Sequence, residues 1–185
     1  MQEESNMTHE MILAGFGGQG VMVMGQLLTY AGMLEGAHVS WIPSYGPEMR
    51  GGTANCSVII SQEPIGSPIV TEGTAVVAMN LPSFEKFESS LSSGGILVLN
   101  SSLIDRQSKR DDIKTYNVPA NEIANSLGDA RMANMVALGA LNAALGYIVD
   151  TSRIMEAFKK IFAKKPGIVA PNELAILAGV KHITG

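Results

Sequence analysis

Short apolar runs alternate with longer segments of helical spacing along most of the chain. The short runs are rich in β-branched residues or apolar throughout, which is typical of strands buried in a sheet. The pattern predicts six strands, at residues 9–14, 38–43, 53–61, 74–79, 95–99 and 113–118. It predicts helices at residues 21–34, from Pro82 onward, and at 121–127, 131–147, 151–163 and 171–178. This alternation favours a single three-layer α/β/α, Rossmann-like domain with a mostly parallel sheet and a helical C-terminal part.

The composition supports one domain with a substantial core. The chain has 185 residues, of which 46% are hydrophobic and 16% are charged. Residues 1–8 are acidic and polar, so we expect a flexible N-terminal tail followed by one domain over residues 9–185. The polar stretch 101–112 predicts an exposed connection.

Charge and side-chain chemistry exclude several classes of function. A net charge of −4 gives no general attraction to nucleic acid or anionic lipid. Cys56 is the one cysteine, so the chain cannot supply an iron–sulfur cluster, and we expect this thiol to be buried as a small hydrophobe. Three widely spaced histidines predict no metal site. Two uncharged stretches, residues 11–34 and 132–149, are interrupted by glycine and amide residues. This argues against membrane spans and for a cytoplasmic protein.

The strongest local signal is a glycine-rich turn between the first strand and the first helix. Gly15, Gly17, Gly18, Gln19 and Gly20 stand where a phosphate-binding turn would lie. The second strand lacks the terminal acid that would hold a dinucleotide ribose, which disfavours NAD. A ligand-free turn, binding of a phosphate-bearing molecule, and close docking of another chain all remain open.

A second polar loop follows the second predicted strand. If the first two strands are parallel, this loop and the glycine turn lie at one edge of the sheet. An arginine in this loop could clamp a carboxylate or a phosphate, and the alternative is an exposed turn with a weak Glu–Arg pair. The candidate binding residues of this loop are Ser44, Tyr45, Gly46, Glu48, Arg50, Gly51 and Gly52.

Three motifs together resemble the gamma subunit of 2-oxoacid:ferredoxin oxidoreductases, in content, order and spacing. They are Gly15-Phe-Gly-Gly-Gln-Gly20, Ser44-Tyr-Gly-Pro-Glu-Met-Arg-Gly-Gly52 and Asn134-Met-Val-Ala-Leu-Gly139. The resemblance extends from about residue 11 to residue 179 and makes residues 9–185 one gamma-type domain. Asn134 is an unusual polar residue in an apolar helix, and it could cap a neighbouring loop or reach the glycine turn.

The resemblance implies a subunit of an enzyme that is not catalytic alone. Such complexes oxidatively decarboxylate a 2-oxoacid, such as 2-oxoglutarate, a branched 2-oxoacid or pyruvate, to acyl-CoA and pass electrons to ferredoxin. Thiamine diphosphate and the iron–sulfur clusters would lie on partner subunits. The chain has one cysteine, and Gly128-Asp129 lacks the rest of a thiamine-binding motif and is better explained as a helix end. Coenzyme A would be a shared ligand of the two loops, and the isolated chain could form a homodimer. The alternatives are a free-standing nucleotide-binding oxidoreductase and a pure scaffold domain.

Overall fold

The computed structural model describes residues 8–45 and 53–185 and contains a six-stranded sheet within this part of the chain. In space the strands follow the order β2, β3, β1, β4, β5, β6. They span β1 His9–Phe16, β2 His38–Tyr45, β3 Thr53–Ser61, β4 Gly73–Ala78, β5 Leu91–Asn100 and β6 Lys114–Val118. The sequence therefore predicted every one of these strands, with ends that differ mostly by one to four residues.

One strand of the sheet runs against the others. β3 pairs antiparallel with both β1 and β2, whereas β1–β4, β4–β5 and β5–β6 are parallel pairs. Because β1 and β2 are both antiparallel to β3, they point in the same direction. The prediction of a mostly parallel sheet is confirmed, with β3 as its exception.

Helices cover both faces of the sheet and complete a three-layer fold. The helices are α1 Val21–Leu34, α2 Leu81–Phe87, α3 Ala120–Ser126, α4 Ala133–Ala144, α5 Thr151–Ile161 and α6 Val169–Thr184. The larger core lies on the face covered by α1 and the C-terminal helices, where α1 contributes Met24, Leu27 and Leu28. The smaller core lies on the opposite face, where Phe84 of α2 packs with Val76 and Leu97.

Two segments differ from the sequence prediction. The last helix begins two residues earlier and ends six residues later than predicted, because Pro171 lies in its first turn and does not start it. The connection 101–112 contains a buried side chain, since Ile104 packs into the smaller core. An otherwise polar segment thus covers the part of the second face that α2 leaves open. The predicted tail, residues 1–8, lies outside the described residues, apart from Thr8.

The helix pair α4 and α6 packs backbone against backbone. A Cβ atom on Gly139 of α4 would lie 2.0 Å from the carbonyl oxygen of Ile176. A Cβ atom on Gly179 of α6 would lie 2.0 Å from the carbonyl oxygen of Val136. Reciprocal glycines therefore fix the distance between these two helices, which positions the start of α4 beside the glycine turn.

Candidate functional site

The glycine turn connects β1 to α1 and takes a conformation that favours glycine. Gly18 and Gly20 have φ values of 98° and 73°, in the left-handed region that L side chains rarely adopt. The N–H of Gln19 donates to the carbonyl oxygen of Phe16 at 3.1 Å and closes the turn. Gly20 is the N-cap of α1, and no side chain caps this helix among the described residues. The backbone N–H groups of the first turn are therefore not satisfied by a side-chain acceptor there.

The Gln19 side chain holds the turn against the end of β4. Its Oε1 accepts hydrogen bonds from the N–H of Phe16 at 2.7 Å and from Asn80 Nδ2 at 2.8 Å. Its Nε2 donates to the carbonyl oxygen of Met79 at 3.2 Å. A Cβ atom on Gly15 would lie 2.8 Å from Gln19 Oε1, so only glycine leaves room for this arrangement. Gln19 acts as an internal brace of the turn, and its Oε1 is already used twice.

Asn134 reaches the glycine turn, as one of the two sequence interpretations expected. Its Nδ2 donates to the carbonyl oxygen of Gly20 at 3.3 Å. A Cβ atom on Gly20 would lie 2.2 Å from this nitrogen. The third motif of the sequence therefore contacts the first motif directly, although they lie more than 100 positions apart in the chain.

The second loop begins and ends at the same edge of the sheet as the glycine turn. Tyr45 at the end of β2 pairs in register with Ala54, and Thr53 at the start of β3 pairs with Phe16. The expected common edge is therefore confirmed for the strands that flank the loop, and Ser44 is exposed there. The remaining candidate residues lie outside the described residues, and their roles stay predictions: Gly46, Glu48, Arg50, Gly51 and Gly52.

This edge coincides with the switch point of the sheet. The crossover from β1 through α1 to β2 lies on one face, whereas the crossover from β4 through α2 to β5 lies on the other. In open α/β sheets, ligands bind outside the carboxyl ends of the strands at the point where the crossover direction reverses. Here this point lies between β1 and β4, where the glycine turn meets Met79.

A cleft of about 210 Å³ opens at this point. It is lined by Gly18, Gln19, Met79, Asn121, Ala130, Arg131, Ala133 and Asn134. Sequence reasoning finds Gln19 and Asn134 but misses the other two polar residues of the lining, Asn121 and Arg131. It also misses Asn80 and Asn100, which lie behind the cleft and donate to Gln19 and Asn121. A signal was available: Asn80 and Asn100 are each the first polar residue after an apolar strand, at the strand end where a ligand would bind.

One charged pair lies at the rim of the cleft. The Arg131 guanidinium donates to both carboxylate oxygens of Asp129, with its Nη2 at 2.6 Å from Oδ2. These bonds lower the pKa of Asp129 to about 2. Asp129 also accepts from the N–H of Arg131 and caps the short 3₁₀ helix Ala130–Met132, and Gly128 has a φ of 103° just after α3. Gly128-Asp129 is therefore a helix end, as expected, and does not fit a thiamine diphosphate site.

The one cysteine of the chain is structural. Cys56 is fully buried, and its Sγ donates to the carbonyl oxygen of Val21 at 3.4 Å. Burial raises the pKa of this thiol to about 11, so it is neither a thiolate nucleophile nor a metal ligand near neutral pH.

Within residues 8–45 and 53–185 no three metal-binding side chains lie together. These residues do not fit an iron–sulfur cluster. No helix of the described part is long and apolar enough to cross a bilayer.

The fold and the site define a Rossmann-like α/β domain whose switch point carries a glycine turn and a cleft lined by the amide side chains of Gln19, Asn121 and Asn134. The chain belongs to the family described as pyruvate ferredoxin/flavodoxin oxidoreductase, whose profile it matches over residues 10–182. This confirms the resemblance that the three motifs indicated. The match covers all three motifs, including the loop whose residues lie outside the described part of the structure.

Two relatives show how such a domain occurs in longer and shorter chains. The ketoisovalerate oxidoreductase subunit VorA of Methanothermobacter thermautotrophicus is 43% identical over 170 residues, which are 91% of this chain but 35% of that relative. The chain thus spans about a third of the length of VorA. The 2-oxoglutarate synthase subunit KorC of Methanothermobacter marburgensis is 34% identical over 180 residues, covering 94% of this chain and 95% of that relative.

Solved structures share the fold over nearly the whole chain. The keto/oxoacid ferredoxin oxidoreductase gamma subunit from Geobacter sulfurreducens matches with a TM-score of 0.81 and 27% identity, covering 95% of this chain and 98% of that one. The 2-oxoglutarate:ferredoxin oxidoreductase from Magnetococcus marinus, solved with 2-oxoglutarate, coenzyme A and succinyl-CoA, matches with a TM-score of 0.87. At 23% identity, covering 96% of this chain and 31% of that chain, the second match shows the fold alone.

Proposed function

We propose that this chain is the gamma-type subunit of a 2-oxoacid:ferredoxin oxidoreductase. In this reaction a 2-oxoacid loses CO₂, its acyl group is transferred to coenzyme A, and two electrons pass to ferredoxin. The observation that carries the proposal is the end-to-end match to KorC and to the Geobacter gamma subunit, with the glycine turn at the switch point. The substrate is proposed as a 2-oxoacid without further distinction, since relatives named for ketoisovalerate and for 2-oxoglutarate both match.

The chain supplies a binding edge and not the chemistry of decarboxylation. Its described residues fit neither an iron–sulfur cluster nor thiamine diphosphate, so both groups are assigned to partner subunits. What the chain offers is the uncapped start of α1 behind Gly18 and Gly20. Backbone N–H groups and the helix dipole at such a position favour an anion. We assign a phosphate of coenzyme A to this position, as the group that the glycine turn receives.

Arg50 is proposed on sequence grounds as a second anchor for a phosphate, or for an acid of the neighbouring subunit. It lies in the loop between Tyr45 and Thr53, whose flanking strands end at the edge that carries the glycine turn. An arginine fork suits a phosphate or a carboxylate better than a lysine does, because it donates two parallel hydrogen bonds.

One observation favours a second candidate, a scaffold domain that only contacts its partners. The glycine turn is braced inside the chain by four hydrogen bonds of Gln19, three through its side chain and one through its backbone N–H. Its glycines could therefore serve close packing alone. In that case substitutions in the turn would impair assembly and leave the KM for coenzyme A unchanged.

The experiment is purification of the chain from its native source under anaerobic conditions, followed by kinetics of the assembled complex. We expect thiamine diphosphate and iron–sulfur subunits to co-purify and the complex to form acyl-CoA from a 2-oxoacid. Arg50→Ala is expected to raise the KM for coenzyme A about tenfold. The matched control is Arg106→Ala, which removes an exposed arginine paired with Glu85 beside α2.

Three outcomes separate the proposals. Recovery of the chain without a thiamine-containing partner, combined with micromolar binding of NADH, would indicate the free-standing nucleotide-binding protein. An unchanged KM for coenzyme A in an intact Arg50→Ala complex would refute the role of Arg50. If Gly18 and Gly20 variants also assemble poorly but bind coenzyme A normally, the scaffold is the correct function.

A further inference from the structure

The outer face of the last helix is apolar, although no residue in the described part of the chain buries it. α6 packs on α4 through its inner face, where Ala175, Ile176 and Gly179 are buried. Leu174 and Leu177 lie on the opposite side of the helix, and they are 57% and 47% exposed. A surface helix normally turns polar residues outward, whereas a helix that is apolar on both sides is buried on both sides in its assembly.

The preceding helix shows how an exposed face is built in this chain. α5 buries Ile154 and Phe158, and it presents Arg153 and Lys160 on its outer side. Along the centre of the outer face of α6, the only charged residue is Lys181, in the last turn. The outer face of α6 therefore has the composition of an interface and not that of a solvated surface.

Four residues form the centre of this face, and we call them the α6 seam. They are Ala170, Leu174, Leu177 and Lys181, which are all exposed and are spaced four, three and four positions apart. This alternating spacing is the one by which helices pack against each other in coiled coils. The order of the spacings is the same when it is read from either end. Two copies of α6 that run in opposite directions can therefore align all four positions at once.

The side chains at these positions also suit their counterparts in an antiparallel pair. Leu174 would lie opposite the second copy's Leu177, so each copy would contribute both leucines to one apolar centre. Lys181 would lie opposite the second copy's Ala170, which is small enough for the lysine stem to pack over it. The Lys181 ammonium would then lie beside the second copy's Glu173, at the flank of the seam. In the part of the chain that the structure describes, neither Glu173 nor Lys181 belongs to an ion pair.

We propose that α6 pairs in antiparallel orientation with α6 of a second copy of this chain, through the α6 seam. The two-fold axis passes halfway between the levels of Leu174 and Leu177. A seam that complements itself is what a contact between identical surfaces requires, and a contact with an unrelated subunit does not require it. Two leucine layers form a small contact by comparison with the ~1,200–2,000 Å² of a stable interface, so free chains pair weakly, with a micromolar Kd. In an assembled enzyme the contact joins two gamma-type chains.

The test measures association of the full chain by sedimentation equilibrium, from low micromolar to near-millimolar concentration. We expect a monomer–dimer equilibrium with a micromolar Kd. Leu177→Glu is expected to weaken association at least ~100-fold, because each dimer loses two leucines and gains two charges in its apolar centre. Leu103→Glu is the matched control, since Leu103 is 49% exposed in the connection that covers the smaller core, and it is expected to associate as the wild type does.

Charge reversal tests the orientation of the pair. Glu173→Lys and Lys181→Glu each place like charges together at both ends of an antiparallel seam, and each is expected to weaken association about tenfold. An equimolar mixture of the two variants restores opposite charges at both ends, and it is expected to associate as the wild type does. In a parallel pair Glu173 and Lys181 would lie two turns apart, so neither variant alone would weaken association.

Four results would overturn the inference. A chain that stays monomeric at near-millimolar concentration has no such contact, and a dimer that Leu177→Glu leaves unchanged uses another surface. If the single charge variants associate as the wild type does, the helices are not antiparallel. If the free chain is monomeric and Leu177→Glu is not incorporated into the complex, a partner subunit covers the face. None of these results concerns the KM for coenzyme A, so their occurrence leaves the proposed function standing.

Discussion

Replacing Gly179 by alanine tests whether the α4–α6 contact fixes the architecture behind the site. The new methyl carbon would lie 2.0 Å from the carbonyl oxygen of Val136 and 2.9 Å from the backbone nitrogen of Ala140. Ordinary contact begins near 3.4 Å, so the two helices must separate by about 1.4 Å locally. Both neighbours are backbone atoms inside a helix, and neither can rotate away as a side-chain end could.

The expected loss follows from two opposing effects. Overpacking a well-packed contact costs about 1–3 kcal/mol, and a clash with backbone belongs at the upper end. Alanine is favoured over glycine inside a helix by about 1 kcal/mol, which offsets part of this loss. We therefore expect a net decrease of about 2 kcal/mol in the free energy of unfolding. For a chain of this size this corresponds to a fall of about 4–8 °C in Tm.

The measurement is chemical denaturation of the wild type and of Gly179→Ala, followed by far-UV circular dichroism. Ala178→Gly is the control at the neighbouring position of the same helix, where only the propensity effect of about 1 kcal/mol is expected. If Gly179→Ala is as stable as the wild type or more stable, the helix propensity of alanine outweighs the clash, and the close packing is not what positions α6. A loss confined to Gly179→Ala supports the geometry. Because α4 also carries Asn134, weaker binding at the glycine turn is expected to accompany the loss.

Three further predictions concern the glycine turn, the cap of α2 and the buried thiol. Gly20→Ala should destabilise the chain for two reasons, the clash of the new methyl group with Asn134 and about 1–2 kcal/mol of left-handed backbone strain. Adding Asn134→Ala removes the clash but not the strain, so a double-mutant cycle should show that only the first part of the lost stability is regained. Asn80→Ala should lower the free energy of unfolding by about 1–2 kcal/mol in a urea titration, because it removes the α2 cap and the hydrogen bond to Gln19. Asn125→Ala is the control, and a loss of equal size in that variant would contradict this explanation. Cys56 ionises near pH 9 when unfolded and near 11 when folded, so its share of stability is intact below pH 9 and is lost as the pH rises toward 11. The unfolding free energy of the wild type should therefore fall by up to about 1.4 kcal/mol per pH unit more steeply than that of Cys56→Ala across this range, and parallel pH curves would refute it.

The strands and helices of the fold were predictable where the spacing of apolar residues in the sequence indicates them. Strands such as β5 are apolar and bounded by polar or glycine residues, and α1 was predicted to the residue, because the glycine turn fixes its start and Gly36 follows its end. The direction of β3 could not be predicted, because an antiparallel strand buried on both faces has the same composition as a parallel one. The late end of α6 was also not predictable, since its last turns depend on packing against α4 and β6.

The site was predictable where backbone conformation dictates the residue and not where side chains from distant segments meet. Gly20 is recognisable because its left-handed φ and its place before a helix leave a local signal. The partnership of Asn100 with Asn121 leaves none, since it forms only when β5 and β6 lie side by side. The sequence pattern predicts Gln19 as a binding residue but gives no sign of its role as a brace, because the bracing contacts are with Met79 and Asn80, some 60 positions away.

The place of β1 in the sheet has a consequence for synthesis of the chain. β1 is the first strand of this sheet to be translated, yet it lies in the interior of the sheet between β3 and β4. On the ribosome its edge for β3 stays open until Ser61 has emerged, and its edge for β4 stays open until Ala78 has emerged. An unpaired edge of an apolar strand is a template for intermolecular pairing, so the nascent chain stays vulnerable to aggregation until that point. Slower translation through residues 62–72 would lengthen this exposure, whereas a chaperone that holds the first 60 residues would shorten it.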